Sequence, residues 1–405
     1  MAKWDTVESD PAVFSLMLEA LGVQGVEVAE VYSLDALPAS CMGLLFLFQH
    51  QGKRSPAAHA HAPPPGAPAP WFARQTVHNA CGTQALLHVV LNQPAVELGP
   101  ALAAFKGFTE GLPAAERGGC FEQCEAIRAA HNSFSRPEPF LREGRTAKPG
   151  EKGKAPFHFL AYTQVGGAVY ELDGLAAEGA VCLGSAAGPA AAQGGGGGGG
   201  SGAPAPWQAT ARAAIEARIA QYAAGAGEIR FSLLAVVEDA QRALHQRAGC
   251  VLATLERLQA LLLSHGEEVG EAPEAVAARC GLPPLAELAP APPPPSPAQA
   301  AELAAAEARE EGASVAALRA AYSEASDALG GLALAASEER DKRRAWAREQ
   351  EQRRHNFVPL IMALLGGLAE RGQLGAEYSA ARERFRGRVE RAQREGRSVA
   401  DEDDS

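Results

Sequence analysis

The stretch FHFLAYTQVGGAVYELDGL, residues 157–175, constrains the fold more tightly than any other part of the chain. Two runs rich in β-branched and aromatic residues, 157–164 and 168–175, are joined through Gly166 and Gly167. Adjacent glycines supply the positive backbone angles that a two-residue hairpin turn requires. With these two as the turn, Val165 faces Ala168, and counting back places Leu160 opposite Asp173. His158 lies two residues before Leu160, on the same face of the ribbon. Asp173 is then diagonal to His158, roughly 6 to 8 Å away between backbones and within side-chain reach. A slip of one residue would send the two to opposite faces, so the turn decides whether an imidazole and a carboxylate meet.

A second stretch supplies what such a pair can act on. QTVHNACGTQALLHVVLN, residues 75–92, predicts a helix that begins near Cys81 and carries Leu86, Leu87, Val90 and Leu91 on its apolar face. A thiol at a helix N-terminus meets the positive end of the macrodipole, which favours the thiolate, the nucleophilic form. A cysteine nucleophile also needs a base and a donor for the developing oxyanion. His158 can take the Cys81 proton and Asp173 can orient the imidazole. Gln75 and the backbone N–H of Cys81 can hold the oxyanion, which is triad logic with sulfur as nucleophile. Taken alone, Cys81 would by default be a small buried structural thiol.

Hydrophobic residues make up 47% of the 405, but much of that is alanine, and 43 glycines and 28 prolines gather in low-complexity stretches. The net charge of -11 argues against general nucleic-acid binding, which would show a basic surplus. Seven scattered cysteines, an opening MAKWDTVESD without an apolar core and no run of eighteen apolar residues describe a soluble protein with free thiols, off the membrane and in a reducing compartment.

Besides the helix that begins near Cys81, periodicity predicts helices over 11–21, 120–134 and 207–222, and strands over 26–34, 43–48, 157–164, 168–175 and 229–237. The stretches 55–70 and 176–206 read as flexible inserts. The run Gly194–Gly200 in the second lacks the Gly-Lys-Ser/Thr ending of a phosphate loop. The polar loop 136–156 is longer than an ordinary connection and so has a functional role or no fixed structure. The chain divides into an α/β domain of catalytic size, 1–240, a variable Pro-rich linker, 241–299, a helical module, 300–380, and a charged tail, 381–405. In the module, Phe357, Ile361, Leu364, Leu365 and Leu368 share one helix face, fit to dock on a partner. Cys120-x-x-x-Cys124 has no second pair to complete a metal site, His59-x-His61 lies in an insert, and His88 reads as a packed core histidine. No metal or cofactor is called for.

Gln75-x-x-x-Asn79-Ala80-Cys81-Gly82, running into Leu86-Leu87-His88, resembles the active-site signature of the ubiquitin C-terminal hydrolase family of cysteine peptidases. FHF around His158 and YELDGL around Asp173 resemble its histidine and aspartate motifs. WDTVESDPAVF (4–14) resembles its amino-terminal opening and IRFSLLAVV (229–237) its final strand. Val89-Val90 depart from the small residues usual there, a matter of helix packing. The resemblance implies a knotted, papain-like α+β fold with an antiparallel sheet flanked by helices. It implies hydrolysis of the bond after the C-terminal glycine of ubiquitin by Cys81, His158 and Asp173, with Gln75 on the oxyanion. A crossover loop over the site is also implied; 136–156 matches its position, with Arg136, Glu138, Arg142 and Lys154 as gating residues.

RRHNFVPLIMALLGGLAERGQL (353–374) resembles the tail of the family's proteasome-associated, long-tailed branch. By that resemblance His355, Asn356, Phe357, Ile361 and Leu365 bind a ubiquitin-receptor subunit of the proteasome regulatory particle. A chromatin-remodelling complex is a second implied partner, and the location is cytoplasm and nucleus. Two alternatives stay open: a nucleosomal deubiquitinase of the same family, which RPEP (136–139) resembles but whose middle region is much longer than 241–300, and a catalytically weak proteasome adaptor.

Overall fold

The computed structural model describes residues 3–49, 60–135, 157–176, 179–187, 205–223, 231–268, 271–279, 281–282 and 314–394. Six strands form one sheet: β1 (Val26–Glu30), β2 (Cys41–Gln49), β3 (Phe157–Val165), β4 (Ala168–Leu172), β5 (Val181–Ser185) and β6 (Phe231–Glu238). Their order is β1-β6-β2-β3-β4-β5, and every neighbouring pair is antiparallel. Gly166 and Gly167 form the β3–β4 turn with φ of 56° and 80°, and the register runs from Val165 opposite Ala168 to Ala161 opposite Leu172. One more step places Leu160 beside Asp173, the register expected from the two glycines.

The sheet is covered on both faces, and alternate side chains of its central strands serve different layers. Leu45, Phe159 and Ala161 pack with α1 (Pro11–Ala20) and α2 (Cys81–Val90) around Phe14, Met17, Leu86 and Leu87. Their neighbours Leu44, Phe46, Leu160 and Tyr162 pack on the opposite side, with Trp207, Ala211 and Ile215 of a helix at Pro206–Ala223. The entry to α1 is set locally: Asp10 accepts the Ala12 N–H at 2.8 Å and Pro11 occupies the first turn.

The first face also holds α3 (Gly99–Thr109), which the periodicity did not single out, with α4 (Ala114–Gln123) and α5 (Glu125–Asn132). The last two replace the single helix expected over 120–134. Cys124 is extended, at φ -71° and ψ 105°, and breaks the run. Phe121 and Ile127 are both fully buried. Six residues apart, they would point to different sides of a straight helix; the break lets both reach the core.

The inserts and linker need correction. Residues 179–187 of the supposed insert 176–206 include β5, whose pairing with β4 no local pattern announces. The described part of the insert 55–70 is tied to that strand, with the His61 N–H donating to the Cys182 carbonyl at 2.8 Å. We label the helix Pro206–Ala223 α6. The linker 241–299 opens with a 25-residue helix, α7 (Ala240–Ser264), followed by α8 (Pro273–Arg279). Ala248, Leu252, Leu255, Leu258 and Leu262 form its buried stripe, a helical spacing that the surrounding alanines disguised. The stripe packs on α9 (Val315–Arg354), through Leu318, Leu329 and Ala333. On α9, Arg343 pairs with Glu19 at 2.9 Å, Glu27 at 3.1 Å and Asp239 at 2.7 Å.

Compact packing therefore carries the first unit through Glu351 rather than ending it near 240 or 300. The second unit begins at Gln352 and contains α10 (Val358–Glu370) and α11 (Leu374–Arg394), so helix occupies much of the expected charged tail. Asn356 accepts the Val358 N–H at 3.0 Å, and His355 and Phe357 meet edge to face at 4.6 Å. No residue of α10 is buried: Phe357, Ile361, Leu364 and Leu365 are exposed, and so are Leu360 and Met362, which widens the apolar surface beyond the one expected face.

Candidate active site

The site is built around the start of α2. A short turn, His78–Ala80, delivers Cys81 as the first helical residue, and no side chain caps either element. Gly82 follows because a Cβ there would lie 2.9 Å from Phe14 and 3.2 Å from Phe159, whose rings meet edge to face at 5.6 Å beneath the helix start. Cys81 is half-buried and lines a cleft of about 470 Å³, together with Gln75, Asn79, Thr83, His158 and Leu175.

His158 and Asp173 meet at the end of the sheet where β3 begins and β4 stops. Nε2 of His158 lies 2.7 Å from Oδ1 of Asp173, both side chains largely buried. The imidazole also hydrogen-bonds the Cys81 side chain. With Nε2 on the carboxylate, Nδ1 is the nitrogen turned to sulfur. Burial alone would lower the basicity of this ring, but the bonds to Asp173 and Cys81 outweigh it and raise its pKa to about 9. Asp173 shows the mirror case: burial pushes its carboxyl up, while His158, the Leu175 N–H at 2.9 Å and the field of Arg218 bring it net below its ordinary value. Phe48, paired with His158 across β2–β3, packs its ring against the imidazole at 5.8 Å. Behind it Arg218 forms a buried ion pair with Glu171, whose other oxygen accepts the Tyr162 hydroxyl at 3.0 Å.

Gln75 arrives on an extended arm, residues 71–75, that belongs to no strand. The backbone groups of Trp71 and Ala73 are satisfied by side chains of α2 and its end. Asn92 takes the Trp71 N–H at 2.7 Å and donates to the Trp71 carbonyl at 2.8 Å. The Ala73 N–H donates to His88 at 3.2 Å, and Gln84 donates to the Ala73 carbonyl at 2.6 Å. His88, stacked on Phe72 at 5.0 Å, is held near pKa 4, chiefly by burial, so the ring is neutral and free to accept. The Gln75 N–H then donates to the Gly174 carbonyl at 2.8 Å, tying the arm to the residue after Asp173. Gly174 allows this approach: a Cβ would sit 3.0 Å from both Gln75 and Gln84. The Gln75 side-chain amide donates to the Val77 carbonyl at 3.0 Å, within the loop that leads to Cys81.

The structure thus brings Cys81, His158, Asp173 and Gln75 together. It adds Gln84, His88, Asn92 and Gly174, which sequence reasoning did not assign to the site. Their signal was present: Gln84, His88 and Asn92 fall at i, i+4 and i+8, a polar stripe along an otherwise apolar helix. Arg136, Glu138, Arg142 and Lys154 lie outside the described residues.

Residues 4–193 match the family described as ubiquitin carboxyl-terminal hydrolase, family 1 (Peptidase C12), and residues 333–374 match the region described as ubiquitin carboxyl-terminal hydrolases (UCH C). The chain is 29% identical over 380 residues to ubiquitin carboxyl-terminal hydrolase isozyme L5 of Dictyostelium discoideum, covering 92% of this chain and 93% of that one. It is 36% identical over 256 residues to ubiquitin carboxyl-terminal hydrolase 2 of Schizosaccharomyces pombe, covering 60% of this chain and 76% of the relative. Among solved structures, the catalytic domain of Trichinella spiralis UCH37 bound to ubiquitin vinyl methyl ester aligns with 59% of this chain and 97% of its own, at TM-score 0.45 and 34% identity. Shared sequence on this scale, running through the arm, the cysteine helix and the hairpin, makes this chain a member of the ubiquitin carboxyl-terminal hydrolase family and a thiol-dependent deubiquitinase.

Proposed function

We propose that the chain hydrolyses the bond after the C-terminal glycine of ubiquitin with Cys81 as nucleophile, and that it acts at the proteasome regulatory particle. The catalytic part of this reading rests on one observation: the hydrogen-bonded series Cys81–His158–Asp173 on the wall of a cleft. An imidazole with a pKa of about 9 holds its proton at neutral pH, and a protonated imidazole beside a thiol favours the thiolate. The sulfur attacks the carbonyl carbon of the terminal glycine. The Cys81 N–H, at a helix start that no side chain caps, and the Gln75 amide receive the oxyanion. His158 passes its proton to the leaving amine, and a thioester remains. His158 then takes a proton from water, which attacks the thioester and releases the ubiquitin carboxylate. Asp173 keeps Nε2–H engaged throughout, so that Nδ1 faces the reaction.

The partner reading rests on the second unit. Its segment 353–374 resembles the tail of the long-tailed branch, and the likeness to the Dictyostelium isozyme extends over 93% of that relative. Phe357, Ile361 and Leu365 offer a ubiquitin-receptor subunit of the regulatory particle an exposed apolar surface flanked by His355 and Asn356. A chromatin-remodelling complex is a second partner in the same reading, and cytoplasm and nucleus are the compartments.

The decisive experiment treats the full chain and its Cys81→Ala variant with ubiquitin vinyl methyl ester. The wild-type chain gains the mass of one ubiquitin and the variant gains none. Undiminished labelling of the variant would remove Cys81 from the mechanism.

A further inference from the structure

A helix that starts with a Ser, Asp or Asn cap fixes its own entry, because the cap side chain binds the first free N–H groups. The start of α2 has no such cap, and a capping oxygen would compete for the donors that an oxyanion needs. The geometry around Cys81 must therefore be held from outside, and the N-terminal strap, Lys3–Asp5, is where that hold converges. Asn79, two residues before Cys81, donates its side-chain amide to the Trp4 carbonyl at 3.0 Å. The next carbonyl, that of Asp5, accepts from His131 Nε2 at 2.7 Å. His131 Nδ1 in turn lies 2.7 Å from the hydroxyl of Thr83, two residues after Cys81.

A carbonyl only accepts, so Nε2 carries the proton, and the neutral ring takes the Thr83 hydroxyl proton at Nδ1. Burial favours that neutral form. The strap is itself anchored. Asn132 accepts the Asp5 N–H at 3.0 Å and donates to the Lys3 carbonyl at 2.9 Å. Trp4 stacks on Phe121 at 5.1 Å and leans on the His131 ring at 5.1 Å.

We propose that Asn79, Thr83 and His131 are positioning residues for the deubiquitinating reaction: through the strap they close a hydrogen-bonded ring that grips the uncapped helix start on both sides of Cys81. None of the three exchanges a proton with substrate; they act through the placement of Cys81 and its N–H. The inference rests on Cys81 being the nucleophile. It also gives the amino-terminal WDTVESD a task beyond packing, since Thr6 and Val7, directly after the strap, line the same cleft.

The test measures kcat and KM of the full chain on ubiquitin carrying a C-terminal fluorogenic amide. The variants are Asn79→Ala, whose side chain is exposed, Thr83→Val, which keeps shape but removes the hydroxyl, and Thr83→Ser, which restores it. Asn79→Ala and Thr83→Val each lower kcat about tenfold, the weight of roughly one hydrogen bond, with KM unchanged and the chain fully folded at the assay temperature. Thr83→Ser retains kcat. Wild-type kcat in both Asn79→Ala and Thr83→Val overturns the proposal, as does a Thr83→Ser variant as slow as Thr83→Val, or a loss confined to KM. Cys81→Ala in the same assay separates the layers. If it is inactive while Asn79→Ala and Thr83→Val are fully active, only the ring fails; if Cys81→Ala turns over normally, the catalytic reading fails and the ring with it.

Discussion

At the scale of single residues, the character of the site comes from opposing influences on one imidazole. Burial of His158 disfavours its charge, while the Asp173 carboxylate and the Cys81 side chain favour it more, and the balance settles at about 9. The sign of that shift fixes its effect on stability. A histidine raised above its unfolded value of 6.5 contributes stability that is fully present below 6.5 and is lost as pH rises through about 9. Asp173, lowered from 3.8, contributes stability that is present above 3.8 and is lost as pH falls through its depressed native value. Turnover that needs a protonated His158 should decline along an alkaline limb near pH 9. Asp173→Asn removes the charge that holds the proton, so this limb should move to lower pH and the maximum rate should fall. The profile of kcat/KM against pH for both proteins checks this; an unmoved limb would mean that Asp173 does not govern the imidazole.

At the scale of elements, the β3–β4 hairpin joins fold to function, because one turn sets the register that brings His158 and Asp173 together. Gly166 has φ 56°, and a Cβ there would come within 2.4 Å of Pro68, whereas Gly167, at φ 80°, faces open space. Gly166→Ala should therefore cost about 1–2 kcal/mol or more from left-handed strain and the added clash. Gly167→Asn, a residue that tolerates this turn, should cost about 0.5 kcal/mol or less. Denaturant titration of the two variants distinguishes them, and equal costs would show that the turn is not under this constraint. The hairpin was legible in the sequence because everything it needs is local. The same holds for Asp10 and Pro11 at the start of α1, and for the apolar run of α2. The features that were not legible depend on partners distant in the chain. β5 is a strand because β4 offers it an edge, and the helix break at Cys124 exists because Phe121 and Ile127 share one core. Gln84, His88 and Asn92 matter because an arm with no strand partner lies across them. Cys81, His158, Asp173 and Gln75, which the structure gathers around one cleft, could be picked out from the sequence; the apparatus that holds them could not.

At the scale of the whole molecule, the boundary of the catalytic unit decides what can be removed from it. Composition placed the end of that unit near 240, with linker to 299, because alanine and proline dominate the residues beyond it. Packing carries it through Glu351. Leu252, Leu255, Leu258 and Leu262 of α7 are buried, and α9 supplies Leu318, Leu329 and Ala333 to the same clusters. Glu27, a carboxylate on β1 with 8% of its side chain exposed, has both its cationic partners, Lys342 and Arg343, on α9. Two truncations therefore have opposite expected outcomes. A chain ending at Glu351 keeps both clusters and the Glu27 pairs. It should fold, label with ubiquitin vinyl methyl ester and hydrolyse ubiquitin bearing a small leaving group, while the proposed proteasome association should be lost along with α10 and α11. A chain ending at residue 299 removes only 52 residues more but strips α9 from α7. Re-exposing buried leucines costs roughly 1.5–3 kcal/mol each, and a buried carboxylate without counter-ions adds to it. That chain should melt well below the first or aggregate, which thermal denaturation and size-exclusion chromatography will show. Equal melting temperatures would mean that α9 adds nothing to the catalytic unit, and proteasome association retained by the chain ending at Glu351 would take the partner surface away from the second unit.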